Sequence, residues 1–86
     1  MRIKFMPVEL ILYYRSNCNL CEQMLAELHA NYAGNLRITM VDVDSDPALR
    51  NQYNTKVPVL ACGNTVICQG GLDKSKLEDY LAHFKT

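Results

Sequence analysis

The hydrophobic period of the chain changes abruptly around Cys18. The preceding Val8-Glu9-Leu10-Ile11-Leu12-Tyr13-Tyr14 is a short, strongly apolar run with β-branched and aromatic members, bounded by Pro7 and Ser16-Asn17. Such a run suits a strand buried on both faces. Beyond it, Leu20, Met24, Leu25, Leu28 and Tyr32 recur at three- and four-residue intervals. That spacing predicts an amphipathic helix of about four turns ending near Gly34-Asn35, with Asn17 placed as its N-cap. A second strand follows over residues 36–43, and Asp44-Ser45-Asp46-Pro47 then opens a short helix over Pro47–Tyr53, Pro47 taking its first turn. The right-handed crossover rule makes the first two strands parallel neighbours.

Two further apolar runs, residues 57–62 and 65–68, are separated by Gly63-Asn64, a two-residue link of the kind that closes hairpins. After Gly70-Gly71, either Asp73 or Ser75 can cap a last helix whose Leu77, Leu81 and Phe84 share one stripe, with Tyr80 at its edge. The order is strand, helix, strand, helix, strand, strand, helix, which predicts an α/β layered fold with helices on both sheet faces. The chain has 86 residues, so residues 1–86 are expected to form one domain. At this size roughly 60% of the unfolded chain's surface can be buried, enough for one sheet with helices packed on it.

Composition removes several function classes. Hydrophobic residues make up 49% and charged residues 21%, which is globular rather than disordered. Nine Lys+Arg balance nine Asp+Glu, so the basic face expected of a nucleic-acid binder is absent. Residues 6–14 are the longest nearly apolar stretch, and Pro7 and Glu9 interrupt it, far short of the about 20 residues a membrane span needs. Arg2 and Lys4 give a signal-like positive start, but no small-residue cleavage site follows. A cytoplasmic monomer without nucleic-acid or membrane partners is expected.

Four cysteines in a reducing cytosol point to catalysis or metal binding rather than to structural disulfides. Cys18-Asn19-Leu20-Cys21 stands where the first strand meets the first helix. A thiol there meets unsatisfied backbone N–H groups and the positive end of the helix dipole, which favour its thiolate. Arg15 adds a nearby cation. Cys18 is therefore the expected nucleophile, and Cys21, one turn further in, the expected resolving thiol. Half of a zinc site or a pair of core thiols has the same spacing, but the strand-to-helix placement favours redox chemistry. With Gly63-Asn64 as the loop, Cys62 opposes Thr65 and Val59 opposes Cys68, so Cys62 and Cys68 should point to opposite faces and act as small apolar strand residues.

Taken together, the strand ending Tyr13-Tyr14-Arg15, the CxxC opening a helix, the Val57-Pro58 pair and the Gly70-Gly71 turn before an acidic cap resemble the thioredoxin superfamily, and within it the glutaredoxin-like proteins, over residues 9–81. The resemblance implies a four-stranded mixed sheet, in the order second, first, third, fourth strand, flanked by three helices. It also implies a cis bond before Pro58, a substrate-binding backbone at Val57, and a glutathione groove formed by Arg15, Val57, Pro58, Gly70, Gly71 and Asp73. The chain departs from the family pattern in carrying Asn19 and Leu20 where glutaredoxins have Pro and Tyr, and Lys56 where they have Thr; it has no Trp, so thioredoxin's Trp before the first cysteine is missing too.

Lys56 is either a solvated surface lysine or a cation for a substrate carboxylate. His29 and His83 have no ligand spacing and read as surface residues; Asp42, Asp44 and Asp46 read as a strand end and helix cap rather than a calcium loop, whose glycine and distal glutamate are missing. Tyr13 is expected in the core, and Tyr13 and Tyr14 project to opposite faces. The function expected is a glutaredoxin-like thiol–disulfide oxidoreductase needing no metal or prosthetic group, with glutathione as reductant and a protein disulfide or glutathionylated thiol as substrate. The rival readings are a glutathione-assisted metal or iron–sulfur binding protein and a non-catalytic interaction module.

Overall fold

The computed structural model describes residues 8–32, 34 and 36–83; the positive start at Arg2 and Lys4 and the apolar Phe84 lie outside these. In chain order the elements are β1 (Val8–Tyr14), α1 (Asn19–Tyr32), β2 (Leu36–Asp42), a single 3-10 turn (Val43–Ser45), α2 (Pro47–Tyr53), β3 (Val59–Cys62), β4 (Thr65–Gln69) and α3 (Lys74–Ala82). The strands form one mixed sheet in the order β2-β1-β3-β4. β1 and β2 run parallel from Val8↔Leu36 to Tyr14↔Asp42, while β3 is antiparallel to both β1 and β4.

Pairing across the sheet sorts the core into two faces. Leu12 is opposite Leu60, and Leu60 is opposite Cys68; with Leu10 these line the face covered by Met24 and Leu28 of α1 and by Leu77 of α3. Each fully buried aliphatic side chain of this kind contributes about 1.5–3 kcal/mol. On the other face Tyr13, opposite Val59, stacks on Tyr53 of α2 with ring centroids 4.5 Å apart and planes inclined by 29°. Tyr13 is thus half-buried against α2 and not, as expected from the sequence, a member of the core. His29 and His83 are exposed.

The hairpin departs from the simplest register. Gly63, at φ +58, supplies the positive angle that the first position of such a turn demands, and Cys62 does face Thr65. One step further the register shifts between Leu60 and Ala61, so that Cys68 pairs with Leu60 and Val59 with Gln69. The extra residue of this β-bulge lets both Ile67 and Cys68 enter the core. Cys68 therefore lies on the same face as Cys62, not on the opposite one; both are free thiols. Burial pushes the Cys68 thiol above its ordinary value, against a backbone hydrogen bond at Asp73 that lowers it, which suits an unreactive core residue.

Three boundaries also differ from those expected. β2 ends at Asp42, because Asp42 Oδ1 accepts the Asp44 N–H at 2.9 Å and turns the chain into the 3-10 segment. β3 begins at Val59 rather than residue 57: Pro58 has no N–H to give to a ladder, and its carbonyl instead accepts the Gly70 N–H at 2.8 Å. Asn17 is not the cap of α1. It takes φ +59, a left-handed conformation that asparagine tolerates better than most residues, and the capping position passes to Cys18.

Candidate functional site

Sheet topology collects the sequence-marked residues at one end. The carboxyl end of β1 leads to Cys18; the amino end of antiparallel β3 brings Val57 and Pro58 to that end of the sheet; the carboxyl end of β4 delivers Gly70 and Gly71; and parallel β2 brings Asp42 and Asp44 there too. The Gly70 N–H bond to Pro58 ties the second and third of these segments together. Gly70 holds φ +80, which a side chain would oppose. The Val57–Pro58 peptide bond is cis. Asp73, not Ser75, caps α3, its Oδ1 accepting the Lys76 N–H at 3.1 Å.

Cys18 immediately precedes Asn19, the first residue of α1, and its carbonyl accepts the Glu22 N–H at 3.1 Å. Its Sγ accepts the Cys21 N–H at 3.2 Å. A sulfur thus stands where a Ser or Asp oxygen usually caps a helix, and the N–H that would otherwise be orphaned is aimed at it. Cys18 and Cys21 are joined by a disulfide with Cα atoms 5.3 Å apart. Exposure separates the two thiols: Cys18 is partly accessible, whereas Cys21 is only 3% exposed. Leu20, between them, is 51% exposed.

Arg15 is placed differently from the arrangement expected of a cation serving Cys18. Its Nε and Nη2 donate to the two carboxylate oxygens of Asp44, both at 3.0 Å, and Nη1 donates to the Asn54 carbonyl at 3.3 Å. Arg50 adds a second cation, its Nε 3.4 Å from Asp44 Oδ1. The Arg15 hydrogen bond, with the charges of Arg15 and Arg50, holds the Asp44 carboxyl below its ordinary range; reciprocally, Asp44 raises Arg15. Asp46 accepts the Ala48 N–H at 2.9 Å as the cap of α2, so the three aspartates of residues 42–46 are two caps and an ion-pair partner. Lys56 is exposed, its N–H bonded to the Tyr53 carbonyl at 2.8 Å.

Asp44 and Asn54 are the members of this end that sequence reasoning missed. They lie 29 and 39 residues from Arg15, and no local spacing connects them; only the parallel pairing of β1 with β2 does. The depressed Asp44 value has a testable sign. The ionised pair is fully present above the ordinary carboxylate value of about 3.9 and is lost only as pH falls through the lower folded-state value. In a carboxyl-carbon NMR titration Asp44 should therefore protonate at lower pH than in an unfolded peptide. Arg15→Gln should move it upward; an unmoved Asp44 would show that the pair does not form in solution.

Among the described residues no group of three or more His, Cys, Asp or Glu side chains is placed to hold a metal ion, and no helix is long and apolar enough to cross a membrane. A mixed sheet of this order with a CxxC pair on the first helix defines a thioredoxin-superfamily protein. Within that superfamily the chain belongs to the glutaredoxin-like domain family (DUF836), whose profile matches residues 9–82. A structural-genomics target from X. campestris, XcR50, is 32% identical, covering 86% of this chain and 96% of its own, with a TM-score of 0.70. More distant likenesses share the fold. Oxidised mitochondrial thioredoxin 3 from Saccharomyces cerevisiae is 24% identical over 92% of this chain and 81% of its own, TM-score 0.53; the germline-specific thioredoxin Deadhead of Drosophila melanogaster is 21% identical over 90% and 80%, TM-score 0.51. No curated protein gives a significant match.

Proposed function

We propose that this protein is a cytoplasmic thiol–disulfide oxidoreductase that reduces protein disulfides or glutathione mixed disulfides through Cys18 and Cys21, with glutathione returning the pair to the dithiol. One observation carries the reading. The sulfur of the partly exposed Cys18 caps α1 and accepts the Cys21 N–H, while its disulfide partner is buried. In the reduced protein the same N–H and the helix dipole favour a thiolate at the sulfur that substrate can reach.

The chemistry balances with these two residues and the substrate alone. The Cys18 thiolate attacks one sulfur of a disulfide; the S–S bond breaks, a mixed disulfide forms, and the other half leaves as a thiolate that takes up a proton. Cys21, as thiolate, then attacks Cys18 Sγ and releases the second half. The protein dithiol is oxidised to the disulfide and the substrate disulfide is reduced to two thiols. Two glutathione thiols reverse the sequence and leave as glutathione disulfide.

Titration of the reduced protein tests the activation step. Thiolate absorbance in the ultraviolet should show a group, absent in Cys18→Ser, that ionises below the ordinary thiol value of about 8.5. A Cys18 that titrates as a free thiol would remove the basis for this function. A coupled assay comparing glutathione plus its reductase with thioredoxin reductase identifies the electron source, and turnover with the second system alone would rule out glutathione.

A further inference from the structure

Arg15 is the cation nearest Cys18 in the sequence, and its carboxylate-binding edge is already filled. A guanidinium grips a carboxylate best through two parallel N–H bonds; here that edge, Nε with Nη2, holds both oxygens of Asp44, and Nη1 holds the Asn54 carbonyl. Asp44 does not depend on Arg15 for its position. Its N–H is bonded to Asp42 Oδ1, the preceding Val43 is fully buried, and Arg50 approaches from α2.

We propose that Asp44 is a specificity-determining residue of the thiol site, an internal carboxylate standing at Arg15 where a substrate carboxylate would bind. The assignment rests on the oxidoreductase reading above and narrows it. Glutathione carries two carboxylates and one ammonium, so to use Arg15 it must displace Asp44 or lie beside a like charge. Asp42, Asp44 and Asp46 also balance Arg15, Arg50 and the exposed Lys56 at this end, and no excess of positive charge remains there to draw an anion. A polypeptide disulfide needs no carboxylate at Arg15, and the exposed Leu20 between the cysteines offers it apolar contact. Asp44 therefore biases Cys18 toward polypeptide disulfides and makes glutathione a weakly held partner.

The experiment compares two small disulfides that undergo the same sulfur chemistry and differ in charge: glutathione disulfide and the neutral hydroxyethyl disulfide. The reduced protein is mixed with each, quenched with acid and read by mass spectrometry, giving a second-order rate constant for each oxidant and their ratio. Asp44→Ala should raise the ratio of glutathione to neutral disulfide by about three- to fivefold, the scale of one half-exposed ion pair. Asp46→Asn removes an equal charge while keeping a capping side chain, and should change the ratio by less than about twofold. The double variant Arg15→Gln/Asp44→Ala should return to the wild-type ratio. Asp44→Asn serves where the alanine variant folds poorly, with a smaller rise in the same direction.

A ratio unmoved in both Asp44 variants overturns the assignment. So does an equal rise in Asp46→Asn, which would reflect net charge alone, and so does a rise that persists without Arg15. Wild-type protein inert toward both disulfides overturns the oxidoreductase reading and this assignment with it, whereas a reactive protein with an unmoved ratio overturns the assignment alone.

Discussion

Cys18→Ser is expected to abolish disulfide exchange, whereas Cys21→Ser should complete the first transfer and stop, accumulating a mixed disulfide on Cys18. The asymmetry follows from placement. Cys18 is the sulfur that reaches solvent and receives the Cys21 N–H, so a serine there keeps the helix cap but removes the nucleophile. Cys21 is 3% exposed; substrate cannot reach it, but Cys18 Sγ can, as their disulfide demonstrates. With Cys21 gone, nothing within the pair displaces the bound half of the substrate. Incubation with glutathione disulfide followed by mass spectrometry should find one adduct on Cys18 in Cys21→Ser and none at residue 21 in Cys18→Ser. Adducts on Cys21 would reverse the two roles. Cys68 should stay unmodified at low oxidant, because burial disfavours its thiolate.

The architecture was legible because its signals are local and repeated: a seven-residue apolar run, a three-and-four spacing after it, Gly63-Asn64 between two apolar runs, and a capping aspartate before Leu77. Each is a short-range preference that agrees with the global fold. The readings that failed depend on facts with no local signature. A bulge adds a single residue to β4, and nothing in Thr65-Val66-Ile67-Cys68 marks which step will slip; its consequence, Cys68 turning to the face of Cys62, follows only from the observed pairing. The helix cap moved by one residue because Asn17 and Cys18 are both able to hold special positions, one as a left-handed residue and one as an N–H acceptor. Proximity along the chain points Arg15 to Cys18, but a long side chain settles on the best carboxylate in space. That carboxylate, Asp44, comes from the neighbouring strand's end.

Leu77→Ala should cost about 2.7–5 kcal/mol of stability, the range for deleting a fully buried leucine from a tightly packed core. Leu77 is 0% exposed and belongs to the cluster formed by Leu10, Leu12, Met24, Leu28, Leu60, Ile67 and Cys68. The sheet and two helices meet at that cluster, and little can collapse into the space a smaller side chain leaves. A chain of this size has a total stability of only about 4–13 kcal/mol, so the loss is a large share of it. Thermal unfolding should shift down by about 10–40 °C, since each kcal/mol moves the midpoint of a small domain by about 4–8 °C. The site feels the same change through α3. Leu77 N–H bonds to the Asp73 carbonyl at 3.0 Å, and Asp73 closes the turn that begins at Gly70. Amide exchange should therefore quicken in α3 and around residues 70–73 more than at Cys18, which is held by α1. Leu20→Ala is the matched control, because Leu20 is 51% exposed and its truncation should leave the midpoint within a few degrees. Equal losses in the two variants would mean that Leu77 is not the packing centre described here; a large loss in Leu77→Ala alone, with Cys18 still reactive at low temperature, separates the stability of the core from the chemistry of the thiol.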